Sequence, residues 1–123
     1  MRDLILWQKL EGAVVFLAGV ALFLQDGAGL SWWVALLAFF VPDLSFAGYA
    51  LGPKVGAFGY NLVHVYAFGA IFPVAGAALA MPVFGALGAL WLAHSGFDRM
   101  LGYGLKSTQG FSVTHLGQIG KTP

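Results

Sequence analysis

Apolar residues fall along this chain in four long blocks, each closed by a short polar or glycine-rich break. Each block is about 20 residues, the length that carries a helix across about 30 Å of hydrocarbon. The pattern predicts helices at about 4–24, 31–51, 55–75 and 82–105, then a polar tail at 106–123 that is too short to span. Gln25-Asp26-Gly27-Ala28-Gly29 closes the first block, and Gly52-Pro53-Lys54 makes the second turn. Ser31 is an N-cap position with Trp32 and Trp33 at interfacial height, and Pro82 suits a helix's first turn. No segment alternates polar and apolar residues as a barrel strand must. The reading is an all-α single integral-membrane domain over residues 1–123, a four-helix transmembrane bundle with a short polar C-terminal tail.

Within the blocks, proline and small residues predict the packing. Pro42 removes a backbone donor and frees a carbonyl near Ala38, while Ala47 and Ala50, on the Asp43 face of an α-helix, would admit a neighbour closely. Pro73 is expected to bend or end the third helix, and Gly85 and Gly88 to form a helix contact.

Composition agrees with the pattern: 59% of residues are hydrophobic and 9% charged, against about 25% charged in soluble domains. From Val55 to Phe97 there is no Asp, Glu, Lys or Arg. The absence of cysteine excludes disulfides and thiolate ligands, and a net charge of +1 gives no basis for nucleic-acid binding. The first eleven residues lack the features of a signal peptide and read as the start of the first span. Four spans put Arg2, Lys9, Lys54, Arg99, Lys106 and Lys121 on one side, so the positive-inside rule makes both termini cytoplasmic. The expected location is a bacterial inner membrane, and the expected partners are the lipid bilayer, a lipid-like substrate and further copies in a homo-oligomer.

Against this background the stretch Trp91 to Lys106 stands out, because an apolar run there becomes dense in ionisable groups. His94 and Asp98 are one helical turn apart on one face. Counted at about 1.5 Å per residue, Glu11, Asp43, His64, His94 and Asp98 lie roughly 11 to 17 Å from the same end. Ionisable side chains at membrane depth turn inward, so the five are expected to meet. Asp43, His64, His94 and Asp98 are candidate ligands for a divalent transition metal such as Zn, Mn or Fe, and Glu11 and Asp43 are the candidate catalytic carboxylates, with Glu11 as general base. Tyr60 and Asn61 share the His64 face, Arg99 would pair with a carboxylate or reach the interface, Lys106 would snorkel or attract phosphate, and His115 belongs to the tail. Tyr49, Tyr60 and Tyr103 read as interfacial anchors. The leading function is a metal-dependent hydrolase acting on a lipid or membrane-partitioned substrate. The alternatives are a proton or small-solute pathway or structural bundle, and bis-histidine haem ligation by His64 and His94.

Phe40-Val-Pro-Asp43-Leu-Ser45 with Gly48-Tyr49, Gly59-Tyr60-Asn61 with His64, His94 with Asp98-Arg99-Met-Leu-Gly-Tyr-Gly-Leu-Lys106, and Thr114-His115-Leu116-Gly117 together resemble a family of small bacterial integral-membrane proteins defined by domain of unknown function 4260. That resemblance implies a short four-helix membrane protein and no particular reaction. Pro42-Asp43 is also similar to an element of membrane-bound metal-dependent hydrolases, in which a Pro-Asp on one helix and histidines on others are presumed ligands. The His-Arg and Thr-His-Ser cluster of that group is absent here.

Overall fold

The computed structural model describes residues 1–120, so Lys121 and the last residues of the expected tail lie outside the described part. The chain is mostly helical: α1 (Arg2–Gln25), α2 (Trp32–Phe40), a 3-10 segment (Val41–Leu51), α3 (Pro53–His64), α4 (Tyr66–Leu79) and α5 (Pro82–Leu101). Three short antiparallel strands follow, β1 (Lys106–Ser107), β2 (Gly110–Thr114) and β3 (Gly117–Gln118), in the order β1-β2-β3.

α5 is the central helix, with α1, α2 and α4 packed around it. Glycine makes the α1–α5 approach possible. A Cβ on Gly12 would come within 2.6 Å of Arg99 Cβ, one on Gly19 within 2.6 Å of the Ala89 carbonyl, and one on Gly96 within 2.5 Å of the Phe16 amide. Close backbone approach of this kind is how helices gain dispersion contacts without a hydrophobic driving force. Gly88 serves the α4 side, where a Cβ would meet Pro73 Cδ at 2.5 Å; a Cβ on Gly85 would meet open space, but its backbone amide lies in the same contact, 3.2 Å from where a Cβ on Gly76 would sit.

Several predicted boundaries move, each for a local reason. The second helix continues past Phe40 only as a 3-10 helix, and its three-residue period changes the face beside Asp43. Phe46 and Tyr49 now lie in line with Asp43 and pack on α3, while Ala47 and Ala50 are exposed. The close approach occurs instead at Gly48 and Gly56. The third block breaks between α3 and α4, where Val65 is extended (φ −74°, ψ 144°) and the two helices bend by 49°, while Pro73 sits inside an unbroken α4. The carbonyls freed at the break find long-range donors on α5: Trp91 Nε1 donates to the Val63 carbonyl (2.7 Å) and Arg99 Nη2 to that of His64 (3.3 Å). α5 stops at Leu101, short of Leu105, because Gly102 adopts a left-handed conformation (φ 94°) and the Tyr103 amide donates back to the Asp98 carbonyl at 2.8 Å, a Schellman-type end.

The strands are tied to α3 by one side chain. Asn61 donates through Nδ2 to the Lys106 carbonyl (2.8 Å) and accepts the Lys106 amide on Oδ1 (2.7 Å), pairing with β1 as a neighbouring strand would. At the same end, Met1, Leu4 and Gln8 of the amino-terminal turns line one cavity with His115 and Leu116.

α1 and the Trp32–Leu51 stretch are each long and apolar enough to cross a membrane, and the bent α3–α4 pair would count as a third span. Their outer faces expose large side chains such as Trp7, Leu17, Trp32, Leu37 and Val74, far more apolar surface than a soluble monomer presents. α5 does not meet the same criterion. It is enclosed by the other helices, so its side chains answer to protein neighbours instead of lipid.

Candidate metal centre

Four ionisable side chains from three separate elements converge at the middle of α5. Asp43 comes from the 3-10 segment, His64 from the last residue of α3, and His94 and Asp98 from one face of α5. One donor atom from each lies within 4.8 Å of the other three. His94 Nε2 is 3.1 Å from Asp43 Oδ1, 3.3 Å from Asp98 Oδ2 and 3.2 Å from His64 Nε2. His64 Nε2 is in turn 3.5 Å from each of the same two carboxylate oxygens. Both imidazoles are buried; Asp43 and Asp98 keep 35% and 17% of their side chains exposed.

Hydrogen-bond accounting separates this cluster from an ordinary polar network. His64 Nδ1 lies 2.7 Å from the Tyr60 carbonyl, which can only accept, so Nδ1 carries the proton and a neutral ring turns the Nε2 lone pair into the cluster. A proton on His94 Nε2 satisfies one of its three neighbours and leaves the rest facing one another. The cluster therefore has more lone pairs than protons to share among them, and a cation at its centre would resolve the excess.

The surroundings fix the donors. Tyr60 stacks on the His64 ring (centroids 3.7 Å apart, 11° between planes), Phe46 stacks on Tyr60 at 5.4 Å, and Phe39 meets His94 edge-on at 5.1 Å. Tyr60 is thus a buried packing partner of the cluster, not an interfacial anchor, and its hydroxyl reaches Asp98 Oδ2 at 3.4 Å. The Tyr60 carbonyl gives His64 the outer partner that orients a ligating histidine. His94 Nδ1 is buried and has no such partner among the described residues.

A cavity of about 180 Å³ opens on the carboxylate side of the cluster, between Asp43 and Asp98 on one wall and Lys106 and Phe111 on another. The Lys106 ammonium lies 3.7 Å above the Phe111 ring and 5.0 Å from Tyr60, and burial pushes its pKa below the usual lysine range, against the opposing pull of Asp98 and Asp43.

The other predicted residues lie elsewhere. Glu11 is exposed on α1 and has no hydrogen bond or ion pair among the described residues, so the structure does not bring it into the cluster with the other four. Depth alone cannot assign a face: Gly12, one residue on, is the position that faces α5. Arg99 is buried but makes no carboxylate pair among the described residues; it caps α3 and lies 5.3 Å from the centre of the Tyr66 ring. Asn61 acts on the backbone of Lys106 and not on the donors. His115 is an exposed pin for the sheet, its Nδ1 accepting the Leu105 amide at 2.9 Å. Phe46 and Phe111 were not singled out in the sequence, and Trp91 was placed on the His94 face without its role at the α3–α4 break. For Phe46 a signal existed, the three-residue spacing from Asp43 just after Pro42.

The class defined by fold and site is a mostly helical protein with two helices long and apolar enough to cross a membrane, enclosing a His/Asp cluster that could hold a metal ion. The sequence profile of the family described as Domain of unknown function (DUF4260) matches residues 5–119, and the chain belongs to that family. No curated protein and no solved structure matches it.

Proposed function

We propose that this protein is a metal-dependent membrane hydrolase in which Asp43, His64, His94 and Asp98 hold one divalent transition ion, Zn, Mn or Fe, and act on a lipid or membrane-partitioned substrate. One observation carries the reading: five donor-to-donor separations of 3.1–3.5 Å around a buried point. Bonds of about 2.0–2.1 Å to a tetrahedral zinc place neighbouring donors about 3.3–3.4 Å apart. Two imidazoles and two carboxylates are a borderline N/O set suited to such ions. Haem ligation fits less well, because nitrogens on opposite sides of an iron with bonds of about 2.0 Å stand about 4 Å apart, and His64 and His94 Nε2 are at 3.2 Å.

A water entering at the Asp43 position, the more exposed of the two carboxylates, would leave His64, His94 and Asp98 as ligands; the ion would then supply Lewis acidity and lower that water's pKa towards about 7. Asp43, the more exposed carboxylate and a wall of the cavity, is the group positioned to take a proton from the attacking water and return it to the leaving group. Phe46, Tyr60 and Phe111 would give the cavity apolar walls. A proton pathway is the competing use of the same residues, but a relay through His94 needs an acceptor or donor beyond Nδ1, and none is present among the described residues.

In the membrane, α1, the Trp32–Leu51 stretch, the bent α3–α4 pair and α5 would make four spans, with both termini on the cytoplasmic side by the positive-inside rule. Self-association would cover part of the exposed apolar surface. Elemental analysis of protein purified in detergent tests the centre. The expected result is about one transition metal per chain, lost in His64→Gln and His94→Gln, since a carboxamide is a poor ligand for such ions. Wild-type metal content no higher than that of His94→Gln would overturn the reading.

A further inference from the structure

The cavity has two walls of opposite charge that do not touch. Asp43 and Asp98 form one, and the Lys106 ammonium faces them without a carboxylate oxygen within 4.0 Å and without a hydrogen-bond acceptor among the described residues. Lys106 is only 5% exposed, an unusual position for a lysine with no anion to meet. Its backbone is fixed on both sides by Asn61, so the ammonium is held over the cavity by the sheet and not left there by a free tail. Aromatic faces of Phe111 and Tyr60 partly offset the cost of burying the charge.

Charge balance says what belongs in the gap. Two neutral imidazoles, two carboxylates and a divalent ion sum to zero, and Lys106 makes the loaded site positive. The cavity, of about 180 Å³, is small and partly open to the outside. That admits a compact anionic head and not a whole lipid.

We propose, resting on the metal-centre reading above, that this cavity binds a phosphate group, and that the substrate is a phosphate ester whose oxygens bridge the ion and the Lys106 ammonium. A tetrahedral phosphate offers oxygens in both directions at once, and lysine recognises phosphate as a point charge without needing a planar fork. The low-dielectric aromatic walls strengthen that attraction relative to water. The ester can come from a lipid head group or from a soluble metabolite, and the chemistry that recognises it is the same.

Full-length protein in phosphatidylcholine nanodiscs, with its zinc content measured first, is titrated with inorganic phosphate. Zinc-loaded wild type should bind it. Lys106→Gln should retain zinc and bind phosphate about tenfold more weakly or worse, the loss of one charge-assisted contact, and Lys106→Arg should recover most of the affinity. A zinc-loaded wild type that ignores phosphate, or a Lys106→Gln that binds it as well as wild type, overturns this proposal and leaves the metal centre standing. Failure to take up zinc, manganese or iron overturns both, and is seen before any phosphate is added. Displacement of bound phosphate by phosphatidate in the nanodisc supports a lipid source, and displacement by glycerol 3-phosphate supports a soluble one. Displacement by neither overturns the ester assignment.

Discussion

α1 and α5 run against each other for most of their length, yet they are composed for different surroundings. α1 buries only Gly12 and Gly19 and turns most of its other side chains outward, most of them apolar but Glu11 among them. α5 buries nine of its 20 residues, including His94, Ser95 and Arg99. A helix on the rim must be apolar because hydrocarbon offers no partner. A helix at the centre can carry ionisable groups because neighbouring helices supply acceptors, donors and aromatic faces. Hydropathy therefore identifies the rim helices best and understates the one that carries the chemistry.

The contact between them is the most sensitive point of the comparison. Gly96→Val would place side-chain atoms where a Cβ alone comes within 2.6 Å of the Gly12 carbonyl, and because that obstacle is backbone, the two helices must separate. We expect little or no folded protein, by thermal melting in detergent, since overpacking costs about 1–3 kcal/mol even where neighbours yield. Gly85→Ala on the same helix, with nothing within 4 Å, should melt no lower than wild type.

A pair of carboxylate variants sharpens the contrast at the next level. Asp98→Asn on α5 should lower metal affinity by about tenfold or more, as loss of a charged ligand does. Glu11→Gln on α1 should leave metal content and turnover unchanged, because Glu11 is exposed and outside the cluster. Loss of turnover in Glu11→Gln with metal retained would restore it as a general base and reverse the comparison.

Smaller effects belong to the sheet. Asn61→Ala removes both contacts to the Lys106 backbone, worth about 1–3 kcal/mol together. It should speed hydrogen exchange at the Lys106 amide while metal content stays near wild type. The smallest effect is that of pH on His115. Burial first, and then the Arg99 charge, lower its folded pKa from 6.5, while the unfolded chain keeps the ordinary value. The unfolded state therefore binds more protons as pH falls through that value, so the His115 contribution is complete above 6.5 and declines below it. The protection factor of the Leu105 amide, which donates to His115 Nδ1, should fall on acidification in wild type and lose that dependence in His115→Ala.

Much of this arrangement could be read in advance because membrane depth is nearly one-dimensional. Counting residues at a constant rise put Asp43, His64, His94 and Asp98 in one layer, and the structure brings those four together. Face was harder to read than depth. Glu11 shares the layer but not the direction, and one residue is a rotation of about 100° on an α-helix. The break at Val65 has no proline or glycine to announce it; it is held by Trp91 and Arg99, almost thirty or more residues away, and such tertiary capping leaves no local trace. The sheet was read only as a polar tail, since its strands are two to five residues long and its anchor is a side chain on α3.

The 3-10 segment also sets a length. A stretch of 20 residues from Trp32 to Leu51 would reach about 30 Å as an α-helix, but with the segment at about 2.0 Å per residue it reaches about 35 Å. That exceeds the hydrocarbon of an average bilayer, so as a span the element would tilt or thicken the membrane locally. Conversion to α-helix would recover about 5 Å and turn successive residues by about 20° less each, swinging Phe46 and Tyr49 off the line they share with Asp43. With this stretch as a span, bilayer thickness would be coupled to the register of one donor: a thin membrane would oppose the extended form that holds Asp43 against His94, and a thick one would favour it.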